Sequence, residues 1–320
     1  MAMSSIREET MRLRGIWGAF RSARVLITAN NYRVFDLLTK PQSAEAISRK
    51  LKTDLRATEI LLDALTGIGL LRKLSHKYRN TTLPNRFLVK GSPYYQGDII
   101  RHADTLWKNW SGLDEVMKTG EPSHKAYNQE AFVLGMHNLA SLKAKDVMRT
   151  IGLRGVKTAL DLGGGPGTYS IEMAKRGVKV TLFDHHGASE IAKKVIEKEG
   201  IEGINFISGD FMIDDIGKGY DLIFLSQVLH SYSDKGNLQI LRKCRKALNN
   251  GGRTVVQEFY LSEDRTHPLQ SALFSVNMLV NTQAGRCYSP GEIKRWLLET
   301  GLENIKVKLM DDTVLIMGSS

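Results

Sequence analysis

The sequence predicts an α/β protein: a doubly wound sheet in its C-terminal half, with an antiparallel last strand, and a mainly helical N-terminal half. Three observations carry this reading. Beyond residue 150, short apolar runs alternate with amphipathic stretches, giving strands near 157, 178, 203, 220, 252, 305 and 313 and helices near 168, 188, 236 and 290. The first of these strands runs into a glycine-rich turn, Gly163-Gly164-Gly165-Pro166-Gly167, and a helix from Thr168. The final pair, 305–309 and 313–317, is separated only by Met310-Asp311-Asp312, a link so short that it forces a hairpin and an antiparallel strand at the sheet edge.

The N-terminal elements follow from apolar spacing and caps. Residues 19–38 form a strongly apolar helix that ends at Thr39-Lys40-Pro41. Ser43 caps a helix over 44–51, and Asp54 or Thr58 opens another through 71, with apolar residues at 60, 61, 62, 65, 68 and 70. The segment 77–82 reads as a short hairpin. Helices followed by a small β wing suggest a winged helix. A dimerisation role is favoured for it, because the 19–38 helix is apolar on too many faces to stand free at a surface. Residues 93–150 are helical again. The expected division is therefore 1–95 for dimerisation, 96–150 as a helical linker contributing to a substrate pocket, and 151–320 for cofactor binding.

Composition bounds the function. The net charge of +11 is uneven, about +10 in residues 1–150 and +1 in the rest, so a nucleic-acid partner is a rival to an ordinary solvated surface. Two cysteines, Cys244 and Cys287, make no disulfide framework, and no stretch approaches a membrane span or a signal peptide. A cytoplasmic setting is expected. His185 and His186 are adjacent, but nothing around them completes a metal-ligand set, so no metal is expected.

The glycine turn marks a cofactor pocket. A dinucleotide fingerprint needs a third glycine where this chain has Thr168, and Asp161 stands at the strand end, where a carboxylate suits a cation better than a phosphate. S-adenosylmethionine, which carries an ammonium and a sulfonium, fits that requirement. Asp161, Gly163 and Gly165 form the turn. Asp184, closing the next strand, suits ribose hydroxyls, and Asp210 with Phe211 closes a third strand, placed to accept from an adenine amino group and to pack on its ring. Ser226 and Gln227, ending the fourth strand, complete the pocket, since ligands of open α/β sheets bind beyond the carboxyl ends of the strands.

The acceptor chemistry is expected just past Gln227. His230 follows the fourth strand, and Glu258 lies on the neighbouring one. A histidine just past a strand end, with an acidic candidate on the neighbouring strand, marks this point for chemistry more than a lone histidine would. Trp107, Trp110, Phe274, Asn277, Met278 and Asn281 are candidate walls for a flat, moderately polar acceptor.

These motifs resemble the S-adenosylmethionine-dependent small-molecule O-methyltransferases with an N-terminal winged-helix dimerisation domain, the family of the caffeate, acetylserotonin and hydroxyneurosporene enzymes. The resemblance covers nearly the whole length: the wing region, Asp161 to Gly167, Asp184, Gly209 to Phe211, and the stretch from Val228 to Glu258. It implies a class I methyltransferase doubly wound sheet, a homodimer, S-adenosylhomocysteine as the second product, His230 as general base with Glu258 orienting it, and a phenol or enol-like hydroxyl on a small aromatic or polycyclic acceptor. Ser231-Tyr232 stand where the family commonly has Asp-Trp, and Cys287 where it often has a second glutamate. Rival readings are carbon methylation of a tetrapyrrole or quinone-like substrate, a pseudoenzyme that only binds the donor, and a winged-helix nucleic-acid-binding or RNA-modifying protein.

Overall fold

The computed structural model describes residues 2–320. The chain divides into two compact units, Met1–Asp104 and Thr105–Ser320.

The first unit contains α1 (Ala2–Gly18), α2 (Phe20–Asn31), α3 (Val34–Leu37), β1 (Gln42–Ser43), α4 (Ala44–Leu51), α5 (Leu55–Gly67), β2 (Leu71–Leu74), β3 (Lys77–Asn80) and α6 (Thr82–Phe87), and the division between the units falls within α7 (Gly97–Trp110). The single helix expected over 19–38 is broken. Arg33 adopts a left-handed φ of 56°, which ends α2 and turns Val34, Phe35 and Leu38 into the core. The caps are as read: the Ser43 hydroxyl accepts from Ala46 N–H at 3.3 Å, and the Asp54 carboxylate from Ala57 N–H at 2.7 Å. α5 stops at Gly67 rather than 71, because Gly69, with φ 82°, reverses the chain and frees Leu71 to start a strand. The hairpin is therefore β2–β3, and 77–80 is its returning strand, with β1 paired on the other side of β3. Ile47, Leu62, Leu65, Leu71 and Tyr78 pack with Phe35 and Leu38 as the core of this unit.

The second unit continues with α8 (Leu113–Thr119), α9 (Gln129–Ser141), α10 (Ala144–Ile151), β4 (Thr158–Leu162), α11 (Thr168–Ala174), β5 (Lys179–Asp184), α12 (His186–Lys198), β6 (Ile204–Ser208) and β7 (Tyr220–Ser226). After a 3-10 turn (Leu229–Ser231) come α13 (Asp234–Ala247), β8 (Leu248–Phe259), α14 (Leu269–Asn281), α15 (Pro290–Glu299), β9 (Glu303–Met310) and β10 (Thr313–Ser319). The seven strands lie in the order β6-β5-β4-β7-β8-β10-β9; the first five are parallel, and β10 is antiparallel to both neighbours. The edge position expected for the terminal hairpin belongs to β9, with β10 inserted between it and β8.

Both sheet faces are covered, which is why β4 and β7 read as nearly continuous apolar runs. Leu160, Leu162, Ile223 and Leu225 pack with Ile240, Leu241, Ile293, Trp296 and Leu297 of α13 and α15. Ala159, Val180, Leu222 and Phe224 point the other way, against Val147, Met148, Tyr169 and Met173 of α10 and α11. The strand expected near 252 is β8, which starts already at Leu248, and Asp210 lies beyond the end of β6 rather than on it. Among the described residues no helix is long and apolar enough to cross a membrane.

Candidate active site

The sheet reverses its winding between β4 and β7, and a crevice is expected at the carboxyl ends there. The glycine turn occupies that point. Gly163 has φ 71°, and a Cβ on it would lie 2.7 Å from Val228 Cγ2, so only glycine lets the turn pass against the chain leaving β7. The N–H of Gly165 donates to Asp184 Oδ2 at 2.7 Å, and the N–H of His185 to Asp184 Oδ1 at 2.7 Å. Burial raises the Asp184 carboxyl above its ordinary range, against the pull of these two amides.

Asp161 is set deeper than its place in the sequence suggests. It points to the α11 side of the sheet, where Ser170 Oγ donates to its carboxylate at 2.6 Å, and it is 1 % exposed. Gly164 covers it, with a would-be Cβ 3.0 Å from its carboxylate. Burial pushes Asp161 up to about 6, and the charge of Asp184 adds to the effect. Asp210 Oδ1 accepts from Met212 N–H at 2.8 Å, closing a tight turn. Phe211 is buried, edge-on to Phe183 and Tyr232, with the His185 ring stacked at 6.3 Å.

Ser226 and Gln227 differ in kind. The Ser226 hydroxyl donates to Gln257 Oε1 at 3.1 Å. Gln227 has a left-handed φ of 61°, and both polar atoms of its side chain are buried without a partner. Each buried, unmet hydrogen bond costs roughly 1–3 kcal/mol. A side chain held this way suits a ligand that brings both a donor and an acceptor.

His230 sits in the 3-10 turn after β7. Its Nδ1 donates to Glu258 Oε2 at 2.8 Å, while Glu258 Oε1 accepts from the N–H groups of Leu229 at 2.8 Å and His230 at 3.3 Å. Glu258 reaches this position because Ser226 and Gln257 are register partners across β7 and β8, which brings the next residue of β8 level with the turn. A carboxylate so engaged acts only as acceptor, which fixes the proton on Nδ1 and leaves the Nε2 lone pair free. Phe274 meets the imidazole edge-on at 5.1 Å, and Phe259 lies at 6.2 Å.

Among the described residues Glu258 is the only acidic partner of this ring. Cys287 lies close enough to feel the Glu258 charge, and burial pushes its thiol up to about 11, so it is neutral at pH 7. Its segment packs against the backbone of the 3-10 turn: a Cβ on Gly285 would be 2.3 Å from the His230 carbonyl oxygen. Arg286 fastens the segment with a bidentate pair to Glu292 at 2.8 and 3.1 Å. Burial opposes the charge on Glu292, but Arg286 overcomes it and holds the carboxyl down at about 2.

Of the residues expected to wall an acceptor pocket, the structure draws three into one hydrogen-bonded cluster. Trp110 Nε1 donates to Asn277 Oδ1 at 2.8 Å, and Asn281 Nδ2 donates to the carbonyl and to the side-chain oxygen of Asn277. Asn109, which carried no sequence signal, donates to Asn281 Oδ1 at 2.8 Å and clamps the backbone of Ala126. The cluster consumes its own acceptors, so Asn277 Nδ2 is left as the available donor. Met278 is buried, and Trp107 is half-buried one turn before Trp110. Tyr127, next to the clamped Ala126, was also invisible in sequence; it is largely exposed, and the little desolvation it undergoes, together with the Asp184 charge, raises its hydroxyl.

The chain matches two family models: an O-methyltransferase dimerisation domain over residues 16–90 and an O-methyltransferase domain over residues 94–303. It is 31 % identical over 316 residues to acetylserotonin O-methyltransferase of Gallus gallus, covering 90 % of this chain and 91 % of that enzyme. It is 29 % identical over 308 residues to 3-hydroxy-5-methyl-1-naphthoate 3-O-methyltransferase of Streptomyces sahachiroi, covering 91 % and 88 %. The crystal structure of human N-acetylserotonin methyltransferase in complex with S-adenosylmethionine superposes with a TM-score of 0.89 at 26 % identity, covering 98 % of this chain and 97 % of that one. With a family domain spanning most of its length and a dimerisation domain before it, this chain belongs to the O-methyltransferase family.

Proposed function

We propose that this enzyme transfers the methyl group of S-adenosylmethionine to a hydroxyl of a small aromatic or polycyclic molecule, with His230 as general base. The observation that carries the reading is the His230–Glu258 pair, which leaves the imidazole Nε2 free two residues after Val228, the side chain that packs on Gly163 of the glycine turn. Bound S-adenosylmethionine supplies a methyl group already activated by the positive sulfonium. The protein's remaining tasks are to align the acceptor and to remove its proton.

The crevice fits such a donor. Asp184 and Asp210 offer carboxylates to hydroxyl and amino groups, Phe211 with His185 offers ring surface, and the orphaned amide of Gln227 suits the ammonium and carboxylate of an amino-acid end. Gly163 and Gly165 give backbone access, and Asp161 beneath them adds negative charge. Ser226 holds the end of β7 in place through Gln257. His230 Nε2 takes the acceptor's proton, and Glu258 stabilises the imidazolium that results. Phe274, Met278, Trp107 and Trp110 supply apolar wall, and Asn277, oriented by Trp110 and Asn281, supplies one donor. Dimerisation through the first unit, with α4, α5 and the β2–β3 hairpin as its winged-helix element, completes the reading.

General-base catalysis contributes about 10²- to 10⁴-fold, so His230→Ala should lower turnover by that much with donor affinity nearly intact. Methyl uptake from labelled donor by a panel of hydroxynaphthoates, phenols and quinols measures the first, and calorimetry the second. Wild-type turnover in that variant would sink the assignment.

A further inference from the structure

The turn that carries Asp210 and Phe211 is held from outside as well as from within. Internally, Asp210 N–H donates to Asp214 Oδ2 at 2.8 Å, and Gly209 leaves room for that carboxylate, since a Cβ there would be 2.5 Å from it. The carbonyls of the turn point the other way, toward α13. Two side chains one helical turn apart meet them: Gln239 Nε2 donates to Met212 O at 2.8 Å, and Lys243 Nζ donates to Phe211 O at 2.6 Å and also to Asp214 O. An ammonium has three donors and no acceptor, which suits it to gather carbonyls of one tight turn.

α13 is also the helix that leaves the base. It is capped by Ser233, two residues after the 3-10 turn holding His230, and Tyr232 between them packs edge-on to Phe211 at 5.7 Å. One rigid element thus touches both ends of the proposed reaction site. We propose that Lys243, assisted by Gln239, is a positioning residue for the methyl donor: by gripping the carbonyls of Phe211 and Asp214 from α13, while Gln239 holds that of Met212, it sets the turn that presents Asp210 and Phe211 and registers it against the His230 turn. This rests on the reading that Asp210 and Phe211 hold the adenosine end of the donor.

Two roles for Lys243 differ in the sign of their effect. If it acts only as a positive charge near a cationic donor, removing it leaves donor affinity equal or stronger. As a positioning residue, its removal weakens the binding of any ligand with an adenosine end, charged or not.

Calorimetry on the full-length protein with S-adenosylhomocysteine and 5′-methylthioadenosine separates the two. Charge-assisted hydrogen bonds of this kind predict that Lys243→Met weakens both ligands about tenfold, by the same factor, in a protein whose melting curve shows that it is still folded at the titration temperature. Lys243→Arg should restore most of the affinity, and Gln239→Leu, which carries the test if the methionine variant does not fold, should shift both ligands in the same direction by less. Phe211→Ala is the control for the underlying reading. If it weakens both ligands while Lys243→Met and Gln239→Leu bind like wild type, the positioning role is wrong and the donor site stands. If Phe211→Ala has no effect either, the donor site itself is misplaced.

Discussion

Glu258 accepts three hydrogen bonds with two oxygens, and two of the donors are backbone amides of the turn that carries His230. One carboxylate therefore shapes the turn and selects the imidazole tautomer together. A glutamine there must present an N–H₂ either to the amides or to Nδ1; facing Nδ1, it favours the tautomer with its proton on Nε2, which cannot take one from the acceptor. Glu258→Gln is expected to lose turnover within the range of about 10²- to 10⁴-fold given for base catalysis. Steady-state kinetics at saturating donor checks it, and full activity would show that tautomer control is unimportant here. Asp161 gives a prediction in pH. Its folded value is raised from 3.8 to about 6, so its contribution to stability is full below the unfolded value and is lost as pH rises through about 6. The loss amounts to roughly 3 kcal/mol by linkage. In thermal melts of the free protein, Asp161→Asn should therefore be more stable than wild type at pH 7.5 and show a flatter profile between pH 4 and 6. Donor affinity should rise with pH through about 6 in wild type and lose that rise in the variant, as titration calorimetry at several pH values would show.

At the scale of elements, the glycine turn after β4 shows how a local conformation fixes a site. Gly163 needs a left-handed φ and also the absence of a Cβ against Val228, whereas Gly200, with φ 63°, has nothing within 4 Å of a would-be Cβ. The two glycines make a controlled pair. Gly200→Ala should cost only the conformational penalty of about 1–2 kcal/mol, while Gly163→Ala adds a collision that pushes on the chain leading to His230. Denaturant unfolding should show the larger loss at Gly163, and donor affinity should fall only there; equal losses would remove the argument from close approach. The elements with strong local signals were legible: the caps at Ser43 and Asp54, the turn, and the parallel strands with their buried runs. The misread ones turn on single residues. Nothing in the sequence marks Arg33 for a left-handed conformation, and the end of α5 depends on Gly69 acting as a stop rather than as an interruption.

For the molecule as a whole, α1 leaves Ile6, Met11, Leu13, Ile16 and Trp17 each more than half exposed, on a helix just before and into the dimerisation domain at residues 16–90. Apolar surface of that extent on a single helix is expected to be covered by another chain. Sedimentation should find a dimer, and Leu13→Glu with Ile16→Glu should shift it toward monomer; a monomeric wild type would exclude the homodimer. The sequence by itself determined the alternating sheet, the glycine turn and the pairing of a histidine with an acid past the fourth strand, because periodicity, turn chemistry and strand ends are local properties. Only the tertiary structure decided which atoms meet. It sealed Asp161 under Gly164, left the Gln227 amide without a partner, spent the side-chain oxygen of Asn277 on Trp110 and Asn281 and that of Asn281 on Asn109, and brought Lys243 to the Phe211 turn. The contacts of Asn277 with Trp110, of Asn281 with Asn109 and of Lys243 with Phe211 join residues far apart in the chain, and hydrogen-bond partners chosen by packing leave no periodic mark on the residues that make them.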